Sequence, residues 1–143
     1  MKETAGYTLA KVCRAHRANV GEFLSEVGLH AGQEMVLIEL WEQDGLRGGE
    51  LAERQGVEQP TITKMVRRLE GCGLVTRSQD TEDARCFRVY LTDEGRALEA
   101  SVARCLERAE EKMLRSMSAG ERGSFHRLLM EVRANLDRDF DAR

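Results

Sequence analysis

Between Gln59 and Cys72 the apolar residues Ile62, Met65, Val66 and Leu69 recur at helical spacing, and between them stand Gln59, Thr61, Thr63, Lys64, Arg67 and Arg68. Amide and hydroxyl groups can meet phosphates or base edges, and lysine and arginine add positive charge. Such a face has the chemistry of a helix lying in the major groove of DNA. Taken singly, Lys64 and Arg67 also suit solvated helix charges, and Thr61 and Thr63 suit capping or solvent, so the surrounding pattern matters. Arg85 is the second candidate. It closes the polar stretch Ser78–Arg85 beside Asp80 and Asp83. A guanidinium can enter a narrow minor groove, drawn by its negative potential, and Asp83 can hold it by a charge-assisted hydrogen bond. Acidic groups facing DNA would repel it, so Asp80, Glu82 and Asp83 are expected to turn toward protein groups or solvent. Arg77 reads mainly as support at the start of a strand.

The elements around these residues can position them. In Leu51–Val57 a small residue, Ala52, stands four before Gly56, the spacing of a tight helix-turn-helix. Alanine permits close approach of the second helix, and glycine can take φ > 0 in the turn. A short helix is expected at Gly49–Gln55. The next begins near Gln59 or Pro60, where a missing N–H is tolerated, and runs to about Cys72. Residues 74–77 and 86–91 read as two strands, the second alternating Phe87, Val89 and Leu91 against Arg88 and Tyr90. Joined by the polar stretch, they make a hairpin. Upstream, helices are expected at Thr4–Val27, with Gly28 after it, and at Ala31–Gln43. Met35, Val36, Ile38, Leu40 and Trp41 make the latter apolar on more than one face, which predicts a central position with Met35 and Trp41 in the core. The first helix would exceed about 30 Å, long enough to pack on more than its own small core. Downstream, Thr92 caps a helix with Asp93 and Glu94 in its first turn. Ser118 and Glu121 form a capping box for a last helix striped by Phe125, Leu128, Leu129, Val132 and Leu136.

Composition narrows the function classes. The 143 residues are 41% hydrophobic and 33% charged with a formal net charge of −3, so the chain is no uniformly basic coating protein. Positive charge is local: Gln59–Leu91 holds six basic and four acidic residues. The polar start Met1–Gly6 and the lack of any apolar run near the ~18 residues of a membrane span point to a cytoplasmic chain without a membrane role. Cys13, Cys72, Cys86 and Cys105 form no C-x-x-C pair and are read as small apolar residues in helices or strands. Cys13 and His16 supply only half a metal site, so no metal and no cofactor are expected. His16, His30 and His126 are scattered, and no H-E-x-x-H, G-x-S-x-G or phosphate loop occurs; an enzyme is not expected.

Gln59-Pro60-Thr61-Ile62-Thr63, Leu69-Glu70 and Gly73-Leu74-Val75-Thr76-Arg77, followed by Asp80, Asp83-x-Arg85, Val89-x-Leu91-Thr92 and Gly95, resemble the MarR (multiple antibiotic resistance regulator) family. The likeness extends over nearly the whole chain, including Gly28-Leu29 and Leu40-Trp41-Glu42. It implies a mainly α fold: a winged helix-turn-helix with a two-stranded β-hairpin wing and terminal helices forming a dimerisation region. The single chain would divide into dimerisation helices at 1–30 and 93–143 and a DNA-binding lobe at 31–92. A homodimer would bind double-stranded DNA at a pseudo-palindromic operator, its recognition helices about 10 base pairs apart. Gln59, Thr61, Thr63, Lys64, Arg67, Arg68 and Arg85 are the expected DNA-binding residues, with Asp83 and Arg77 supporting the wing. Many members are repressors released by small phenolic or other aromatic effectors, or by cysteine oxidation. These motifs assign neither an effector site nor a reactive cysteine, and Cys13 lies about a turn or more from the position such sensors use. A redox-sensing regulator of the same fold and a protein–protein adaptor that does not bind DNA stay open as alternatives.

Overall fold

A computed structural model describes residues 1–141. The chain forms two compact units that divide between Ala109 and Glu110.

In the first unit, helix α1 spans Ala5–Leu24, and the Thr4 hydroxyl accepts the Tyr7 N–H at its start. A short 3-10 turn, Ser25–Val27, then ends at Gly28. Helix α2 (Gln33–Glu42) follows, then strand β1 (Leu46–Arg47), helix α3 (Gly48–Gln55) and helix α4 (Gln59–Gly71). Strands β2 (Val75–Gln79) and β3 (Phe87–Leu91) lead to the short helix α5 (Asp93–Ala97) and to helix α6 (Glu99–Leu114), of which the part up to Ala109 belongs to this unit. Leu98 alone separates the last two, and its backbone stays helical at φ −78° and ψ −18°.

The expected two-stranded hairpin is instead a three-stranded antiparallel sheet of order β1-β3-β2. Leu46 pairs with Val89 and Arg47 with Arg88, while Val75 through Gln79 pair with Leu91 through Phe87. Two residues are too few for alternation to register in a sequence; β1 exists because β3 offers it an edge. Val89 and Leu91 are buried and Tyr90 is exposed, as the alternation of β3 requires.

The core gathers Leu24, Leu37, Leu40, Leu46, Leu51, Ile62, Val66, Leu69 and Val89 from α1 to β3. Full burial of such side chains contributes about 1.5–3 kcal/mol each, and these contacts anchor α4. Trp41 is half-buried, with its indole N–H donating to the Gly95 carbonyl at 2.9 Å. A side chain at Gly95 would run into the Leu74 carbonyl oxygen, so glycine is needed where α5 meets the strand. The expectation that Met35 is core is wrong: it is 49% exposed, and Ile38, one turn on, is also exposed. The core takes only the Val36, Leu37 and Leu40 side of α2. Cys13 and Cys72 are exposed too, whereas Cys105 is buried; cysteine at the end of α4 and on the wet face of α1 does not act as a core residue.

The second unit contains helix α7 (Ala119–Asp141). The Ser118 N–H donates to Glu121 Oε1 at 2.9 Å and the Glu121 N–H to Ser118 Oγ at 3.2 Å, completing the expected capping box. Arg122 holds Glu111 through both Nη atoms at 2.8 and 3.1 Å. Leu128, Leu129, Met130, Val132 and Leu136 of α7 are exposed. Residues 142–143, the end of the expected range 93–143, lie outside the described residues.

Candidate nucleic-acid interface

Helix α3 ends at Gly56, whose φ of 62° is left-handed, a conformation open to glycine at little cost. The Val57 N–H closes the turn on the Ala52 carbonyl at 3.0 Å, and Ala52 is buried. The small residue and the glycine together set α4 against α3. Ile62, Val66 and Leu69, all fully buried, then fix which side of α4 faces inward. The opposite side presents a shallow concavity of about 750 Å³ lined by Gln59, Pro60, Thr63, Lys64, Arg67 and Arg68. Thr61 is exposed on the flank and does not line it. The Thr63 hydroxyl donates to the Gln59 carbonyl at 3.1 Å, so it offers only its lone pairs outward. Among the described residues, no side chain of Lys64, Arg67 or Arg68 is held in a hydrogen bond or an ion pair.

The wing handles charge differently. Asp80, 4% exposed, receives Arg47 Nη2 at 2.7 Å and Arg88 Nε at 2.8 Å. Arg88 also donates to the Gly45 carbonyl at 2.8 Å, and Arg47 to Glu82 at 3.2 Å. Strands β1 and β3 are thus pinned to the start of the wing loop. The Arg88 hydrogen bond, helped by the charge of Arg47, holds the Asp80 carboxyl below its ordinary range against the opposing effect of burial. Further along, Asp83 accepts the Arg85 backbone N–H at 3.0 Å and its Nε and Nη2 at 3.1 and 3.3 Å. The guanidinium hydrogen bonds lower the Asp83 pKa first, then the backbone one. The Arg85 side chain remains 90% exposed, aimed outward from a fixed base. Glu82 and Asp83 are, like Asp80, turned to arginines of the same chain.

Arg77 joins the two parts. Its Nε and Nη2 donate to Glu70 of α4 at 3.3 and 3.1 Å, and its guanidinium lies 5.8 Å from the centre of the Phe87 ring. The Arg77 hydrogen bond is the main cause of a lowered Glu70 pKa. Sequence reasoning placed Asp83, Arg85 and Arg77 in the wing but missed Arg47, Arg88 and Asp80 as its brace. The only available signal was Arg88 on an expected strand position near the acidic residues Asp80, Glu82 and Asp83; Arg47 lay on no expected strand. No group of three or more metal-ligating side chains occurs among the described residues, and no described helix is long and apolar enough to cross a membrane.

Two helices joined through Gly56, followed by a sheet that projects an arginine-tipped loop, define a winged helix-turn-helix protein. The MarR family model matches residues 29–87, from the approach to α2 to the start of β3. The repressor NicR of Pseudomonas putida is 31% identical over 140 residues, 98% of this chain and 87% of that protein. The crystal structure of MarR superposes with a TM-score of 0.87 at 26% identity, covering 98% of this chain and 95% of that one. PcaV from Streptomyces coelicolor, solved with its natural ligand, does so with a TM-score of 0.83 at 27% identity, covering 92% and 93%. The chain belongs to the MarR family; it is a DNA-binding transcriptional regulator and not an enzyme.

Proposed function

We propose that this regulator is a homodimeric repressor that binds a pseudo-palindromic operator in double-stranded DNA and is released by a small-molecule effector. Helix α4 would enter the major groove with Gln59, Thr61, Thr63, Lys64, Arg67 and Arg68, and Arg85 would reach the adjacent minor groove, held by Asp83 while Arg77 ties the wing to α4. The observation that carries this reading is the uncommitted charge of α4: three cations on one outward face, none held by a hydrogen-bonded or ion-paired carboxylate among the described residues. Phosphates are the partners such a face lacks.

The dimer is supported by apolar surface that one chain leaves uncovered. Tyr7, Leu9 and Val12 are exposed on α1, and Leu128, Leu129, Met130, Val132 and Leu136 on α7. Clusters of this kind on helices near both chain ends suit burial by a second copy. Effector release draws support from PcaV, which was solved with its natural ligand.

The test is binding to the chain's own promoter, followed by fluorescence anisotropy across a salt series. Affinity should fall steeply with salt, and Lys64→Ala/Arg67→Ala/Arg68→Ala should lower the log–log slope by about three without changing thermal stability. No binding at low salt, or an unchanged slope, would remove α4 as the DNA contact and favour an adaptor.

A further inference from the structure

We infer that Gln79 is a positioning residue for Arg85, clamping the peptide unit from which the wing guanidinium projects. The inference rests on the proposed reading of Arg85 as a DNA contact only for its effect on operator affinity. The Gln79 side-chain Nε2 donates to the Ala84 carbonyl at 2.9 Å. At the other end of the same peptide unit, the Arg85 N–H donates to Asp83 Oδ1 at 3.0 Å. The unit is trans, so its C=O and N–H point in opposite directions. The two hydrogen bonds therefore hold its plane from both sides.

The two anchors act differently. Asp83 lies two positions before Arg85 in the same loop, so it fixes the guanidinium relative to the loop. Gln79 is the last residue of β2, and its backbone pairs with Phe87 of β3. Its amide therefore fixes the loop relative to the sheet. The ends of the loop are held separately. The Asp80 N–H donates to the Cys86 carbonyl at 3.0 Å, and the Cys86 N–H to the Asp83 carbonyl at 2.9 Å. Neither of these bonds involves the Ala84–Arg85 peptide unit. Packing gives the Arg85 side chain no direction, since it is almost wholly in solvent, and its exposed pair with Asp83 contributes little alone. A backbone clamped at both polar groups lowers the cost of ordering the side chain when DNA arrives. An exposed glutamine beside the tip could instead touch DNA directly, and that role has a different signature.

Gln79→Met keeps the length of the side chain and removes the amide. The heteronuclear NOE of the Arg85 backbone amide and of its Nε–H should fall, with the thermal midpoint unchanged. Affinity for the chain's own promoter should weaken about threefold, the order of one exposed hydrogen bond. In an Arg85→Ala background the same substitution should cost nothing further, because a positioning residue acts through the group it positions. An unchanged NOE overturns the inference, as does an unchanged affinity where Arg85→Ala alone weakens binding. A loss that persists in the Arg85→Ala background makes Gln79 a DNA contact in its own right and overturns it equally. So does a lowered thermal midpoint with NOE loss throughout β2 and β3, which assigns Gln79 to sheet stability. If Arg85→Ala leaves affinity unaltered, the DNA reading of the wing fails, and the clamp stands or falls on the NOE.

Discussion

Helix α4 and the wing carry similar amounts of positive charge and use it in opposite ways. Lys64, Arg67 and Arg68 project from a helix whose other side is locked by Ile62, Val66 and Leu69. Apolar packing positions α4, so its cations are left uncommitted. The wing has only the buried parts of a three-stranded sheet beneath it, and Arg47, Arg77, Arg85 and Arg88 each engage a carboxylate. Charge there holds shape, and a single guanidinium, Arg85, is paired yet almost fully in solvent. An exposed pair of that kind contributes little stability, but two parallel hydrogen bonds give it direction. A surface can therefore be positive for a ligand or positive for its own architecture, and composition alone does not tell which.

The strongest way to break this contrast is at Asp80. Asp80→Asn would leave Arg47 and Arg88 around a neutral amide in a buried position. Removing one partner of a buried charged cluster exposes the others to unpaired burial. We expect lost amide-exchange protection across β2 and β3, intact protection in α4, and operator affinity about tenfold weaker or more. The wild type should show a related acid lability. The folded-state pKa values of Asp80 and Asp83 are lowered, so their contribution is fully present above the ordinary aspartate value of about 3.9. It is lost as the pH falls through the lowered values. Hydrogen exchange measured along a descending pH series should show the wing opening before α4; simultaneous loss of both would mean that the brace is not what orders the wing.

Arg85→Ala is a smaller cut because it removes the tip and keeps the brace. Operator affinity should fall about tenfold, the lower end for one arginine contact to a groove. The thermal midpoint and the sedimentation behaviour should not change. Unaltered affinity would take the wing out of the interface and leave α4 alone responsible.

How much of this could be read in the residues follows from how local each feature is. The α3–turn–α4 unit was legible because Ala52, Gly56, Pro60 and the Ile62, Val66, Leu69 stripe act within a few residues of one another. Thr92 and Ser118 were legible as caps for the same reason. Strand β1 was not, since Leu46 and Arg47 become a strand only by pairing with Val89 and Arg88, more than 40 positions away. The brace was hidden likewise: Asp80, Arg47 and Arg88 meet through the sheet and not through spacing. Met35 and Ile38 misled because an apolar residue type does not say which side of a helix the fold will cover. The Asp83–Arg85 pair lay between these cases, legible because a single residue separates its partners.

The finest discrimination lies at the hinge between the two regions. Glu70 belongs to α4 and Arg77 to β2, and three hydrogen bonds, one of them from the Arg77 backbone N–H, join them. Glu70→Gln removes a negative charge beside the proposed DNA surface and frees the Arg77 guanidinium. If wing cations serve architecture and Val75, Val89 and Leu91 hold β2 and β3 in place without this tether, the two effects nearly offset. Operator affinity should then change by less than about threefold, and it should shift upward at low salt, where one more uncommitted cation counts most. Anisotropy at two ionic strengths resolves this. A tenfold loss at both would show that the Glu70–Arg77 tether sets the angle of the wing against α4, and the division between free helix charge and structural wing charge would have to be drawn through Arg77 itself.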